Sequence, residues 1–527
     1  MTNPGIIAER GGEADDTRHF RSHMGGVSRQ SAVFFAGTLF SAAAAYLFKV
    51  YLARVLGAEA LGTYALGMTI IGFVTVFSSL GLPRAALRYV AAYSATGKKE
   101  LLRGFLVRSL VLLASSNLLL ALAMYYAGPW VGRRFYHAPQ LKSYMGLFVA
   151  IMLCGALSGF FGQVLGGFKQ VARRTLIGNF IGTPAMMVAT VALVAFGLGL
   201  RGYLAAQLFG AALVLALFVS VVWKLAPKPE ILPSPQLPPL EPEVISFSVA
   251  AMGLAFLDFF IIQADRVMIG YYLDVREVGI YSVGWSLVAY LSIVLSSVNQ
   301  VFAPTIADLH ARGQRELLGR MFQTLTKWIF GLTVPLAAVL ILFAAPLMRI
   351  FGQDFEAGWP VLVIGAIGQL VNCGVGSSGT LLLMSGNQKT LIWIQAGSAV
   401  LTVVLNLLFI PQWGIVGASI ASAVTVVVTN VAYLSRVRQS LGLSPYNRSY
   451  LRLASPLLGS VGIVLLARAL LGVSQREWLV IGIGLVLAYA AFIGISLAAG
   501  LDADDRIVAQ AAWSKISALY PKRETDS

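Results

Sequence analysis

The sequence has little charge and few of the side chains that form catalytic or metal centres. Only 12% of its 527 residues are charged, and it contains two cysteines and four histidines. So small a charged fraction cannot cover the surface of a soluble globule of this length. The two cysteines give no disulfide framework, and no Cys or His spacing fits a metal site. A Gly-rich phosphate loop is missing as well, so ATP hydrolysis is not expected. We therefore expect no enzymatic activity, no metal and no bound cofactor.

Hydrophobic residues, in contrast, make up 57% of the chain, and the mean hydropathy is +0.78. A helix needs about 20 apolar residues to cross about 30 Å of bilayer hydrocarbon. Stretches of this kind recur along nearly the whole sequence, which predicts an all-α integral membrane protein with fourteen spans. The predicted spans centre near Ala42, Ile71, Leu118, Leu153, Val188, Leu213, Phe260, Leu291, Val339, Ala366, Val400, Val424, Ile463 and Leu487.

The 39 Lys and Arg residues are distributed unevenly between the predicted loops. With the amino terminus placed inside, the inner loops and tails collect most of them, as the positive-inside rule requires. This bias predicts a multi-pass protein of the cell membrane with both termini in the cytoplasm. The net charge of +16 is then explained by topology and by contact with anionic lipids. The sequence contains no basic folded domain, so we expect no nucleic-acid partner.

Four short segments are repeated at nearly constant offsets. The pairs are Leu56–Tyr64 with Leu273–Tyr281 at 217, Gly97–Leu102 with Gly313–Leu318 at 216, Gly167–Lys169 with Gly386–Gln388 at 219, and Gly199–Gly202 with Gly414–Gly417 at 215. Matches that nearly keep their register across intervening apolar stretches predict a duplicated fold, which is a common construction of membrane transporters.

A proline-rich segment is the predicted boundary between the two copies. Seven prolines fall between Ala226 and Glu243 and preclude a regular helix there. Because six helices precede this linker, the seventh enters the membrane in the same direction as the first, and the two lobes are related by a pseudo-two-fold axis along the membrane normal. The predicted organisation is a cytoplasmic tail over 1–30, an N-lobe over 31–225, a linker over 226–243, a C-lobe over 244–440, two further helices over 450–500 and a cytoplasmic tail over 501–527.

Several segments resemble those of a known family. Ala53–Tyr64, Gly81–Tyr89, Asp265–Gly270 with Glu277–Tyr281, and Pro304–Ala307 are similar to the polysaccharide transporter (Wzx-type) family of the multidrug/oligosaccharidyl-lipid/polysaccharide (MOP) exporter superfamily. The resemblance implies a V-shaped, MATE-like fold of two six-helix lobes. It also implies a flippase that moves an oligosaccharide on an undecaprenyl diphosphate carrier, an O-antigen or exopolysaccharide repeat unit, from the inner to the outer leaflet of the bacterial inner membrane by alternating access. The implied partners are the lipid-linked oligosaccharide, membrane lipids, and polysaccharide polymerase and assembly proteins.

Two basic residues within spans are candidates for binding the substrate diphosphate. Intramembrane charges are costly and usually mark a transport pathway. Lys49 and Arg266 are related by the offset of 217, and each is followed by valine. A two-fold axis would place them on opposite sides of a cavity, where both could bind one diphosphate. The alternative is that each side chain extends to the nearby membrane interface.

Two acidic residues lie on nearly one face of the seventh predicted span, because Asp258 and Asp265 are seven positions apart. A buried carboxylate can change protonation as access alternates, so Asp258 is a candidate for coupling to H⁺ or Na⁺. The alternative is a carboxylate that hydrogen-bonds Ser or Asn on a neighbouring helix. Asp265 is interpreted more simply as an ion-pair partner of Arg266 on the cavity wall.

Uncharged polar side chains on the eighth and tenth predicted spans complete the candidate cavity. They are Asn299, Gln300, Gln369 and Asn372. Such amides can bond sugar hydroxyls, or equally hold helices together. Lys327, at the start of the ninth span, is expected to be an interface anchor.

Other functions stay open at this point. A flippase for the peptidoglycan lipid precursor and a MATE-type multidrug exporter share the expected fold, and a membrane-embedded glycan polymerase shares the hydrophobicity. A polymerase is expected to need a large outer loop with catalytic residues, whereas the predicted outer loops are short. A cationic drug would favour acids and aromatics in the cavity, whereas Lys49 and Arg266 favour an anionic lipid-linked substrate.

Overall fold

The computed structural model describes residues 44–226, 238–471, 477–500, 502 and 504–505. Within these residues all regular secondary structure is helical. The prediction of an all-α protein is therefore confirmed. The predicted tail over 1–30, most of the linker over 226–243 and most of the tail over 501–527 lie outside the described residues.

The helices, numbered along the chain, range from short turns to segments of several tens of residues. They are α1 (Ala44–Ser78), α2 (Leu82–Ala95), α3 (Lys99–Arg134), α4 (Leu141–Gly167), α5 (Val171–Ala195), α6 (Gly199–Leu225), α7 (Pro242–Tyr272), α8 (Val275–Ala289), α9 (Ile293–Ala311), α10 (Arg315–Leu342), α11 (Ala344–Arg349), α12 (Trp359–Val375), α13 (Ser378–Met384), α14 (Gln388–Leu441), α15 (Ala454–Leu471) and α16 (Glu477–Ala498). Within α5, Leu176–Gly182 forms a π-helical turn.

Twelve helical segments in the described part of the chain are long and apolar enough to cross a membrane. Two of them, α1 and α14, contain a glycine with a positive φ angle, Gly57 at 79° and Gly414 at 57°. Other residues rarely adopt this conformation, so each glycine ends one straight segment and allows another to begin. Counted as two spans, α14 brings the described total to thirteen, and the part of α1 before Gly57 belongs to the first of the fourteen predicted spans. The first of these is described only from Ala44, so its predicted centre near Ala42 lies outside the described residues.

The predicted repeat is visible in the turns that precede equivalent helices. Gly97 and Gly313 have φ angles of 67° and 72°, and α3 and α10 begin two residues after them. Gly199 and Gly414 also share a positive φ angle, at 49° and 57°. Because glycine adopts positive φ angles without a steric penalty, both copies use it at these turns. These shared turn conformations are what a duplicated fold would produce, and the duplication stays a prediction.

The offset of 219 assigned to the third repeated pair is wrong. The residue with positive φ before α5 is Lys169, at 60°, and the one before α14 is Gly386, at 82°. These positions differ by 217, as do the first residues of the two helices, Val171 and Gln388. Gly167 and Gly386 share their residue type but not their place in the turn. The position equivalent to Gly386 is Lys169, two residues further along the chain than Gly167.

The chain forms two compact units. Unit 2 comprises Tyr51–Ser282 and Thr402–Ala418, and unit 1 comprises the other described residues. Most of α1, all of α2 to α7 and the start of α8 therefore belong to unit 2. The lobes over 31–225 and 244–440 stay a prediction.

The core of unit 2 is built around the amphipathic helix α2. Its buried residues recur at helical spacing, and Ala85, Ala86 and Val90 are fully enclosed. They pack with side chains of α3, α4, α6 and α7 in one hydrophobic cluster. At the start of α2, Gly81 has a φ angle of 68°, and a Cβ atom there would clash with the carbonyl oxygen of Ser248. Helix α2 thus approaches α7 closely at this glycine.

The described end of the linker is attached to α2 and α3 in unit 2. The hydroxyl of Tyr93 donates to the carboxylate of Glu241. Burial, followed by this hydrogen bond, raises the pKa of Tyr93 well above its usual range, so the hydroxyl stays protonated and donates. A Cβ atom at Gly104 would lie 2.7 Å from a ring carbon of Pro238. These contacts fix the chain just before α7 begins.

Unit 1 contains a buried cluster of charges around Lys327. Its ammonium lies 2.5 Å from a carboxylate oxygen of Asp505 and 2.6 Å from the hydroxyl of Ser449. The indole of Trp328 donates to the other oxygen of Asp505, at 3.0 Å. Lys327 and Asp505 are 7% and 6% exposed, so the prediction of Lys327 as an interface anchor is wrong. A buried ammonium needs a counter-charge, and no local spacing indicates a partner 178 residues away.

Candidate functional site

Asp265 and Arg266 lie next to each other on α7 but make different contacts. The carboxylate of Asp265 is buried and accepts the backbone N–H of Arg266 at 2.8 Å. It also accepts the hydroxyl of Tyr281 on α8. The guanidinium of Arg266 donates to the side-chain oxygen of Gln263, one turn earlier on α7. Asp265 therefore joins α7 to α8, while Gln263 holds the Arg266 side chain along the helix.

Asp258 forms an ion pair with Arg84, a partner that sequence reasoning missed. The guanidinium of Arg84, on α2, lies 2.8 Å from a carboxylate oxygen of Asp258 on α7, and both side chains are roughly half-exposed. Arg84 also donates to the backbone carbonyl of Ala251 at 3.1 Å. The two partners are 174 residues apart, so no local spacing could reveal the pair. The sequence signal that could have indicated Arg84 is its place as a basic residue at the start of an amphipathic helix.

The two predicted diphosphate-binding residues are both partly buried on helices. Lys49 lies in the part of α1 that belongs to unit 1, and Arg266 lies in unit 2. Their joint action on one diphosphate therefore stays a prediction.

The predicted amides lie in unit 1, on α9 and α12. Asn372 donates to the side-chain oxygen of Gln369, at 2.8 Å and one turn away. The side-chain oxygen of Asn299 is buried and accepts no hydrogen bond from the described residues, whereas Gln300 is exposed. A buried acceptor without a donor costs about 1–3 kcal/mol, and a role of Asn299 in binding sugar stays a prediction.

The two copies of the first repeated segment contact each other through their glycines. A Cβ atom at Gly62 would clash with the carbonyl oxygen of Val275, and one at Gly279 would clash with that of Ala58. Adding the offset of 217 to Ala58 gives Val275, and adding it to Gly62 gives Gly279. The two contacts are therefore equivalent positions of the repeat, with the roles of the two copies reversed. Small residues four apart let helices approach closely in membranes. We call this contact between α1 and α8 the glycine seam.

Unit 2 also contains an apolar cavity of about 510 Å³ between α1, α3 and α7. Its wall is formed by Thr69, Ile70, Phe73, Val74, Leu120, Ala123, Met124, Ala127, Gly128, Val131, Tyr136, Phe259, Phe260 and Val267. The hydroxyl of Thr69 donates to the carbonyl of Ala65 at 2.8 Å, so it is already satisfied within α1. The wall therefore offers a guest mainly hydrocarbon and aromatic surface.

Solved structures show which class of protein has this fold. The lipid II flippase MurJ, in an inward closed conformation, matches with a TM-score of 0.70 and 14% identity over 88% of this chain and 98% of MurJ. An inward-facing multidrug resistance MATE family transporter of the MOP superfamily matches with a TM-score of 0.61 and 14% identity, over 75% of this chain and 94% of that one. The fold is that of the MOP transporters, and the predicted fold class is confirmed.

The family follows from the sequence itself. Residues 51–358, more than half of the chain, match the family described as polysaccharide biosynthesis protein. The chain belongs to this family, which confirms the resemblance to polysaccharide transporters.

Two relatives from Haloferax volcanii match shorter regions. One is described as "Probable low-salt glycan biosynthesis flippase Agl15" and is 25% identical over 230 residues, which is 43% of this chain and 48% of the relative. The other, "Probable flippase AglR", is 23% identical over 177 residues, which is 32% of this chain and 36% of the relative. The chain thus spans about half of the first relative and about a third of the second.

Proposed function

We propose that this protein is a flippase that moves a lipid-linked oligosaccharide from one membrane leaflet to the other. The observation that carries the proposal is the match of a polysaccharide biosynthesis family to a chain with the fold of a MOP transporter. Within glycan assembly, a transporter fold suits the step in which a lipid-linked intermediate crosses the bilayer. The descriptions of both Haloferax relatives as flippases support the same step.

The substrate class follows from charge. A lipid-linked oligosaccharide carried on a diphosphate is anionic, and Lys49 and Arg266 each supply a cation within a span. Arginine has five N–H donors in a planar fork that fits phosphate oxygens, and Gln263 accepts one of them. In the proposed function, Arg266 and Lys49 bind the diphosphate while Asn299, Gln300, Gln369 and Asn372 contact the sugar.

Transport is proposed to proceed by alternating access, driven by H⁺ or Na⁺. The support for a coupling site is the pair of Asp258 with Arg84. A cation that binds Asp258 competes with Arg84 for the same carboxylate, so ion binding and opening of the α2–α7 contact are linked. The protein carries out no covalent chemistry in this account.

The proposed location is the bacterial cell membrane, with both termini in the cytoplasm. The positive-inside distribution of Lys and Arg supports this orientation. Polysaccharide polymerase and assembly proteins would receive the flipped intermediate as further partners.

Deletion of the gene tests the proposed function. The deletion strain should lose surface glycan and accumulate a lipid-linked oligosaccharide that is inaccessible from the outer leaflet. Expression of the wild-type protein in that strain should restore both. Accumulation of the peptidoglycan precursor would show a lipid II flippase instead, and drug sensitivity without any lipid-linked intermediate would show a multidrug exporter.

A further inference from the structure

The apolar cavity of unit 2 follows one continuous face of α3. The lining residues of this helix stand at positions 120, 123, 124, 127, 128 and 131, which is the spacing of a single helical stripe. Leu120 and Val131 are eleven residues apart, so the stripe is about 16 Å long at a rise of 1.5 Å per residue. Its length suits an extended chain rather than a compact ring system.

The chemistry of the wall restricts the guest to hydrocarbon. Thr69 and Tyr136 contribute the only side-chain hydroxyls among its fourteen lining residues. Water enters a cavity only where several polar partners hold it, and this wall does not provide them. Ala123 and Ala127 form part of the cavity wall, and both are exposed in the structure. The space beside them is therefore open to a guest.

A cation, Arg266, lies on α7 at the edge of the cavity wall, although it is not itself a lining residue. Phe259 lines the cavity, and Arg266 stands seven positions later, which places both residues on nearly the same side of the helix. Val267, which also lines the cavity, directly follows Arg266. A guest in the cavity would meet apolar surface over its length, and Arg266 stands beside the wall at the Val267 end of α7. Such an arrangement is complementary to an amphiphile with an anionic head and a hydrocarbon tail.

We infer that the cavity between α1, α3 and α7 binds the hydrocarbon tail of the transported lipid diphosphate, with the diphosphate near Arg266. This inference rests on the proposed function and adds to it a binding site for the carrier chain. The tail would then stay attached to unit 2 while the sugar passes, and the length and saturation of the carrier would contribute to substrate selection.

Photo-labelling with the full-length protein in detergent tests this site. The probe is a polyprenyl diphosphate with a diazirine near the far end of its chain, and the labelled peptides are identified by mass spectrometry. Label should appear on α1, α3 or α7 at the residues of the cavity wall. Excess unlabelled polyprenyl diphosphate should suppress it, whereas the same excess of phosphatidylglycerol should not.

Substitutions that fill the cavity supply the matched comparison. Ala127→Trp should weaken probe binding at least about ten-fold, the equivalent of losing the burial of about two methylene groups. Ala123→Phe should act in the same direction, and it serves as the second variant if Ala127→Trp does not fold. Ala114→Trp is the control, because Ala114 is also exposed on α3 but lies outside the wall. Elution as a single species in gel filtration verifies folding of each variant.

The outcomes separate this inference from the proposed function. Saturable binding of the probe with label outside the cavity wall would overturn the tail site and leave the flippase proposal intact. Equal competition by phosphatidylglycerol would show that an ordinary membrane lipid fills the cavity, which also overturns the inference. Failure of the polyprenyl diphosphate to bind at all would contradict the flippase proposal itself, and the tail site with it.

Discussion

Asp258 is half-exposed and forms an ion pair with Arg84. The roles of the two residues can be tested with separate substitutions. In vesicles, Asp258→Asn should abolish the dependence of flipping on a proton or sodium gradient, because a neutral amide cannot be protonated and binds Na⁺ weakly. Arg84→Gln should weaken the gradient dependence without abolishing it, because the carboxylate still binds the cation but no guanidinium competes for it. The measurement is the initial flipping rate with and without each gradient.

Asp308 provides the control for this pair. It forms an exposed ion pair with Arg312, at 2.8 Å and one turn apart on the helical surface. Exposed pairs of this kind contribute about 0–1 kcal/mol, so Asp308→Asn should change neither the rate nor its gradient dependence. Persistence of the gradient dependence in Asp258→Asn would exclude Asp258 as the coupling residue.

Lys327 and Asp505 are the buried counterpart of these exposed pairs. Lys327→Met leaves the carboxylate of Asp505 buried without its nearest cation, and this should lower the free energy of unfolding by about 3–5 kcal/mol. Combining Lys327→Met with Asp505→Asn should recover part of the loss, because the uncompensated charge is gone. Thermal unfolding in detergent measures both. A Lys327→Met protein as stable as the wild type would contradict the buried ion pair.

Helices α1 and α8 meet at the glycine seam, where each copy of the repeat supplies one glycine. Gly62→Ala and Gly279→Ala should each destabilise the protein by about 1–3 kcal/mol, because the added methyl group meets a backbone carbonyl that cannot move aside. Gly72→Ala is the matched control within α1, since a Cβ atom there would first meet Phe259 at 3.5 Å, an ordinary contact distance. Unfolding midpoints in detergent compare the three.

The Gly72→Ala control also defines the result that would contradict the glycine seam. Alanine has a higher helix propensity than glycine by about 1 kcal/mol, so Gly72→Ala should be neutral or slightly stabilising. If Gly62→Ala and Gly279→Ala behave like Gly72→Ala, the close approach of α1 to α8 is not part of the folded state.

The elements themselves could be predicted from the sequence because hydrophobic length and turn glycines are local signals. Apolar runs located the spans, and the repeated glycines located turns such as those at Gly97 and Gly313. The third repeated pair was assigned two residues out of register, because Lys169 occupies the positive-φ position that glycine has in the other copy. Which helix faces meet could not be predicted, since neighbouring spans share the same apolar composition.

At the scale of the whole chain, composition and repetition determined the class, whereas long-range partners stayed hidden. The low charge and the duplicated segments were sufficient to predict an all-α membrane protein of transporter type. The MOP-like fold was implied by the family resemblance, and the solved structures show the same fold. The pairs of Asp258 with Arg84 and of Lys327 with Asp505 join residues more than 170 positions apart. Such pairs depend on how helices pack, and a single sequence contains no spacing rule that would indicate them.

The central claim is that the protein flips an anionic lipid-linked oligosaccharide by means of cations within its spans. The most direct measurement is the flipping of a polyprenyl diphosphate oligosaccharide by the purified protein in vesicles, compared among single variants. Arg266→Ala and Lys49→Ala should each reduce the rate about ten-fold or more, because a hydrogen bond to a charged group contributes about 1.5–3 kcal/mol. Arg201→Ala, which removes an exposed arginine of α6, should keep the wild-type rate. No flipping by the wild-type protein, or wild-type rates in both Arg266→Ala and Lys49→Ala, would contradict the account.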